Sequence, residues 1–284
     1  LNELCAVAKL SHEVDSPNFL MQIHQFFPPL ADSNLVKLNR KIEKTISTEF
    51  KKTFSLINWQ KVVVGTTPVQ ELNNKLSLLA ERKIVTLPVP FPVPESNKKK
   101  LSNKNEIKIG FFGDNRKEKG LLPFLRYLKK ESLLQEVKYI INFQSPRCYT
   151  VSEFREIDDI VKNLQKNPNI TIIRNPLSSI EYRSFLNSCD FIILPYDPKH
   201  YNIRMSGIAI ECGISGIPIL TSESTSIANL IHRKKLAGEV FVFSDEQSKF
   251  NINLYKSIKK IKKDIGGYGE KAQLLKNFYR KEYS

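Results

Sequence analysis

The chain has 284 residues, 41% hydrophobic and 26% charged, a balance that fits a globular protein with one large or two medium cores. No apolar run reaches the length of a membrane span, and the opening LNELCAVAKLSHE lacks the basic stretch and apolar core of a signal peptide. A formal net charge of +15 directs the surface toward anions, whether nucleotides, nucleic acid or anionic lipid, while Cys5, Cys148, Cys189 and Cys212, with no CxxC spacing, speak against zinc or a disulfide scaffold and fit a reducing compartment. The chain starts at Leu1 without a Met, so a fragment or a processed product is expected.

In chain order, Phe19 to Phe26 reads as a strand ended by Pro28 and Pro29. Asn34 to Asn58 reads as a long basic amphipathic helix with Leu35, Leu38, Ile42, Ile46 and Phe50 on one side. A short strand over Lys61 to Val64, a helix over Pro68 to Ala80 and a strand over Lys83 to Leu87 follow. The Pro-rich run Pro88 to Pro94 and the polar stretch after it mark a linker, placed at 91–106, which separates a partial N-terminal domain, 1–90, from the rest. From Ile107 the pattern is regular. Strands are expected at 107–112, 137–143, 169–173, 190–194, 217–220 and 239–243, and helices at about 120–130, 152–166, 178–188, 206–215 and 225–233, before a helical end. Strands alternating with helices at this spacing build βαβ units, hence an α/β domain with a parallel sheet covered on both faces, placed at 107–265 with a C-terminal helical segment at 266–284.

Two loops of this domain carry chemistry. The first strand runs into Gly110 to Gly120, GFFGDNRKEKG, where glycine allows close backbone approach and Arg116 and Lys119 supply charge-assisted hydrogen bonds to a phosphate. An ordinary βα turn with solvated basic residues is the plainer reading, and the spacing is neither GxGxxG nor a P-loop. The second stretch, Tyr201 to Leu220, holds one carboxylate, Glu211, on a helix that Ser206 is placed to cap. Gly207 and Ile208 begin that helix, whose N-terminal N–H groups suit an anion, and Glu211 is either a ligand contact about one turn in or a partly exposed core carboxylate.

Taken together these stretches resemble the nucleotide-sugar-binding domain of GT-B retaining glycosyltransferases. The resemblance runs over roughly residues 83 to 245: Gly113 and Lys119-Gly120 match the family's G…KG loop, Ser178 to Tyr196 its helix, Asp, apolar strand and Pro-Tyr, and Glu211 to Pro218 its Glu followed by small residues and G-x-P. It implies two Rossmann-like domains with parallel sheets; because the N-terminal part, 1–90, is short for such a domain, it is expected to lack its first strands, a reduced fold being the alternative. It implies transfer of a hexose-type sugar from a nucleotide sugar to an acceptor hydroxyl of a surface glycan or lipid-linked saccharide, with retention and with neither metal nor cofactor. Glu211 would hold the ribose, Arg116 and Lys119 the pyrophosphate, and Ser206, Gly207 and Ile208 would offer backbone N–H groups. The family's acidic residue eight positions before the ribose Glu is here Ile203, with Arg204 beside it as a candidate for the phosphate or an acidic sugar, and the Arg expected after the loop glycine is Asp114.

His24, at a strand end, is the candidate for the acceptor side, a structural histidine being the alternative. The basic face of helix 34–58 fits either solvent or an anionic membrane, consistent with an enzyme of the cytoplasm, peripheral at the inner face of the membrane. A GT-B nucleotide-sugar epimerase and a non-catalytic nucleotide-sugar-binding protein remain alternatives. Nucleic acid is disfavoured because the aromatic residues are not interleaved with the basic runs.

Overall fold

The computed structural model describes residues 19–23, 47–57, 62–66, 70–86, 106–113, 116–130, 136–144 and 148–283. His24, Asp114, nearly all of the 91–106 linker and residues 34–46 of the first expected helix lie outside the described residues. The chain divides into two compact units, Leu1–Val89 with Asn202–Met205, and Pro90–Tyr201 with Ser206–Ser284.

In the first unit, β1 (Phe19–Ile23), β2 (Val62–Thr66) and β3 (Val85–Thr86) form a parallel sheet in that order, with Phe19 opposite Val62 and Gly65 opposite Val85. Helix α1, residues 47–55, buries Phe50 and Phe54, four residues apart on one face, with ring centroids 5.8 Å apart. Helix α2 (Gln70–Ala80) buries Leu76, and its Asn73 Nδ2 donates to the Ile84 carbonyl at 2.8 Å just before β3.

The second unit contains β4 (Ile107–Phe111), α3 (Leu121–Lys130), β5 (Val137–Asn142), α4 (Val151–Leu164), β6 (Ile170–Ile173), α5 (Ser179–Ser188), β7 (Phe191–Leu194), the single turn α6 (Pro198–Tyr201), α7 (Gly207–Ser215), β8 (Ile219–Ser222), α8 (Ser226–His232), β9 (Gly238–Phe241), α9 (Gln247–Lys263) and α10 (Ile265–Tyr283). Its six strands are all parallel, in the order β6-β5-β4-β7-β8-β9. Counted from β4 this is 3-2-1-4-5-6, the Rossmann order.

Local chemistry explains the elements. Every residue of β7 and β8 is buried, as a central parallel strand covered on both faces requires. Thr150 with Glu153, and Ser178 with Glu181, form capping boxes that start α4 and α5. The core gathers around Phe124 of α3, whose ring lies 5.7 Å from Phe111 of β4 and 6.1 Å from Tyr139 of β5. Burying each such ring removes enough apolar surface to stabilise the fold by about 1.5–3 kcal/mol.

One expectation shifts. The strand expected from Ile217 begins at Ile219, because Gly216, with φ 69°, ends α7 in a Schellman motif that commits the Ile217 N–H to the Cys212 carbonyl at 2.9 Å. In the basic run Lys256 to Lys263 of α9, Lys260 pairs with Glu239 at 2.8 Å and Lys262 with Glu136 at 2.5 Å. Among the described residues, no helix is long and apolar enough to cross a membrane.

α10 lies across α7. Tyr279 is buried against Gly213, Gln273 Nε2 donates to the Gly216 carbonyl at 2.9 Å, and Arg280 Nε donates to that of Ile214 at 3.5 Å. A Cβ on Gly213 would stand 2.6 Å from the Tyr279 ring. Gly213→Ala should therefore cost about 1–3 kcal/mol by overpacking, read as a lowered urea midpoint with an unchanged slope.

Candidate functional site

In an open parallel sheet the ligand crevice lies beyond the carboxyl ends of the strands where the order reverses, here between β4 and β7. The loops leaving those two strands are the two that the sequence singles out. After β4 come Gly113, with φ 123°, and a 3₁₀ turn over Lys117–Lys119 with Arg116 just before it. After β7 come Pro195, Tyr196, α6 and α7.

Gly120 locks the two loops together. Its φ is 76°, a left-handed conformation natural to glycine, and a Cβ there would stand 2.0 Å from the Pro195 carbonyl oxygen. Beside it the Asp197 N–H donates to the Glu118 carbonyl at 2.9 Å. Across the crevice, a Cβ on Gly113 would meet Ile208 Cδ1 at 2.8 Å and Lys119 Nζ at 3.4 Å. The Cα of Gly113 is thus packed between a cation and the second residue of α7.

An aromatic relay ties the cationic loop to the start of α7. Arg116 Nη2 donates to the Tyr201 hydroxyl at 3.3 Å, and Arg116 Nη1 lies 3.6 Å from Glu118 Oε1. The Tyr201 ring packs on Tyr196 with centroids 4.1 Å apart, and the Tyr196 hydroxyl lies 3.3 Å from Ser206 Oγ. Lys119 Nζ sits 6.0 Å from the centroid of the Tyr196 ring. Ser206 caps α7, its Oγ accepting from the Ala209 N–H at 3.4 Å. Gly207 and Ile208, first in the helix, have N–H groups with no carbonyl one turn back within it, and Gly207 is exposed. Glu211 follows Gly207 by four residues, so it lies one turn further on the same face.

Glu211 is half-buried, and its Oε2 accepts a hydrogen bond from the Tyr182 hydroxyl of α5 at 2.5 Å. Burial raises its carboxyl above the ordinary range, against the pull of the Tyr182 hydrogen bond and the Arg183 charge. Tyr182, Tyr196 and Tyr201 are not among the site candidates from sequence, although the Pro195-Tyr196 ending of β7 and the pattern Tyr201-x-x-Arg204-x-Ser206-Gly207 are legible there. His200 stands in α6, where its Nδ1 is 3.0 Å from Asp197 Oδ2.

The structure therefore brings together Gly113, Lys119 and Ile208, links Arg116 through two tyrosines to Ser206, and sets Gly207 and Glu211 on one helix face. Arg204 is buried, in the segment Asn202–Met205 that belongs to the first unit.

No family model matches the sequence, and no curated protein matches it in sequence. In three dimensions the whole chain aligns with HepE of Anabaena, solved in complex with UDP and glucose, at 13% identity and a TM-score of 0.65 over 72% of that chain. Structures of GT-B glycosyltransferases thus match this chain over most of its length. Sucrose-phosphate synthase from Thermosynechococcus elongatus is matched by 99% of this chain over 67% of its own, at 12% identity and a TM-score of 0.68. WaaG, a glycosyltransferase involved in lipopolysaccharide biosynthesis, is matched by 95% of this chain over 76% of its own, at 12% identity and a TM-score of 0.57. At these identities the likeness is one of GT-B architecture.

Burial opposes ionisation of Glu211, so its folded pKa stands above the unfolded value. Its contribution to stability is present in full below the unfolded pKa and is lost as pH rises through the folded pKa. Glu211→Gln, which cannot ionise, should accordingly unfold at higher urea than the parent near pH 7, with the gain vanishing toward about pH 4.

Proposed function

We propose that the protein is a glycosyltransferase that passes a sugar from a nucleoside-diphosphate sugar to an acceptor hydroxyl. The observation that carries this reading is the convergence, beyond β4 and β7, of the Lys119 cation, the Gly113 backbone, and the N-terminus of α7 with Glu211 one turn in. The fold is shared with HepE, solved with UDP-glucose, which supports a donor of that class.

In this reading Glu211 accepts hydrogen bonds from the two ribose hydroxyls, a diol that two carboxylate oxygens can bind together. Lys119 and Arg116 face the diphosphate, and the N–H groups of Gly207 and Ile208 add the partial positive charge of a helix N-terminus. As the bond between the anomeric carbon and the diphosphate oxygen breaks, negative charge grows on the leaving group, and preorganised cations and N–H groups lower the barrier where it grows. The acceptor oxygen bonds to the anomeric carbon from the face the diphosphate leaves, and its proton passes to a diphosphate oxygen, so configuration is retained without a protein nucleophile. Positioning supplies much of the rate, since the groups identified bind and orient. The net charge of +15 favours an acceptor that is anionic or held at an anionic membrane surface.

A thermal-shift panel of UDP-, GDP-, ADP- and dTDP-sugars tests the reading. At least one should raise the melting temperature. Its affinity should fall by roughly tenfold or more in Glu211→Ala, which removes hydrogen bonds to a charged group, and by about tenfold in Lys119→Ala. A protein that responds to none of the four donors would sink the assignment.

A further inference from the structure

Tyr182 stands 29 residues before Glu211 in the chain and on a different helix, yet its hydroxyl is fixed on Glu211 Oε2 at 2.5 Å. The capping box of Ser178 and Glu181 sets the first turn of α5, and the Tyr182 N–H donates to the Ser178 carbonyl at 2.9 Å. The ring then meets Phe112, the residue after β4, edge-on with centroids 5.8 Å apart. A tyrosine has only two side-chain torsions, so a ring held at its backbone and at its edge delivers the hydroxyl to one place at little entropic cost.

A carboxylate has two oxygens and about four lone-pair directions, and its plane is free to turn unless something holds it. The Tyr182 hydroxyl takes one direction of Oε2, and it is the one hydrogen bond to the Glu211 carboxylate among the described residues. We propose that Tyr182 is the positioning residue of the nucleotide site: by holding Oε2 it turns the Glu211 carboxylate so that the remaining lone pairs meet the 2′- and 3′-hydroxyls of a ribonucleoside diphosphate, and so sets the preference for ribose over 2′-deoxyribose. This rests on the reading of Glu211 as the ribose ligand.

The surroundings of the pair agree. Burial raises the Tyr182 phenol, and the Glu211 charge raises it further, so the phenol stays protonated and able to donate. Burial likewise raises Glu211, while the Tyr182 hydrogen bond and the Arg183 charge on α5 lower it; Cys212 on α7 and Tyr196 after β7 are the other titratable groups that act on the Tyr182 end. Removing the hydroxyl leaves a half-buried carboxylate with less to favour its ionised form, so it keeps its proton to a higher pH.

The test is isothermal titration of the full chain and of Tyr182→Phe with UDP, GDP and ADP and their 2′-deoxy counterparts, from mildly acid to mildly alkaline pH. For the ribonucleotide that binds, the variant should be about fivefold to tenfold weaker at alkaline pH. Its deficit should widen as pH falls, because Glu211 protonates first in the variant; titration of the nucleotide phosphate is common to both proteins and cancels in the ratio. Selectivity for ribose over deoxyribose should shrink, and Tyr182→Phe should cost nothing further in a Glu211→Ala background. An equal loss at every pH and for both sugars, or an additive loss in that background, would show a packing role and overturn the proposal. If Glu211→Ala weakens binding while Tyr182→Phe does not, the positioning role alone fails; if Glu211→Ala has no effect, or no ribonucleotide binds, the ribose reading fails with it.

Discussion

The reversal of strand order between β4 and β7 is the constraint on which the site depends. Each crossover in a parallel sheet returns on one side, so the two halves of a 3-2-1-4-5-6 sheet send their helices to opposite faces and part where the order turns. At that parting the β4 and β7 loops leave the sheet side by side. Their backbones come together at Gly120 and Pro195, where no side chain larger than hydrogen fits. The register that places Ile109 opposite Phe191 and Gly110 opposite Ile192 thus also fixes which loop residues face each other.

On this frame α7 is held at one end and open at the other. Tyr279, Gln273 and Arg280 of α10 secure its C-terminal half through Gly213, the Gly216 carbonyl and the Ile214 carbonyl. Its N-terminal half carries Ser206 as cap, with Gly207 exposed and Ile208 against the Gly113 loop. A helix anchored in this way presents its N–H groups to a ligand without having to move. Glu211 sits between the two ends, deep enough for burial to resist its ionisation and shallow enough to be reached. A carboxylate kept against its desolvation cost is a local conflict of the kind that concentrates at functional sites.

Much of this was legible in the residues. Strand runs, capping boxes and helix stops are local signals, and the elements from β4 to β9 fall within two residues of where periodicity puts them, apart from the 3₁₀ turn at Lys117–Lys119 and the single turn α6. That helix escaped because it is one turn long, opened by Asp197, whose Oδ1 accepts from the Lys199 N–H at 2.9 Å and whose carbonyl accepts from the Tyr201 N–H at 3.0 Å. The late start of β8 has a similar origin: the Schellman hydrogen bond at Gly216 that takes Ile217 out of the strand is not visible in a hydrophobic run.

The sequence alone determined the α/β class, the two loops and the singular place of Glu211, because propensity, capping and turn chemistry act within a few residues. Only the tertiary structure decided the partners. The Rossmann strand order, the relay from Arg116 through Tyr201 and Tyr196 to Ser206, and the Tyr182 hydroxyl on Glu211 join residues from separate elements. Such contacts are set by how βαβ units stack around a shared core, and no local pattern records them.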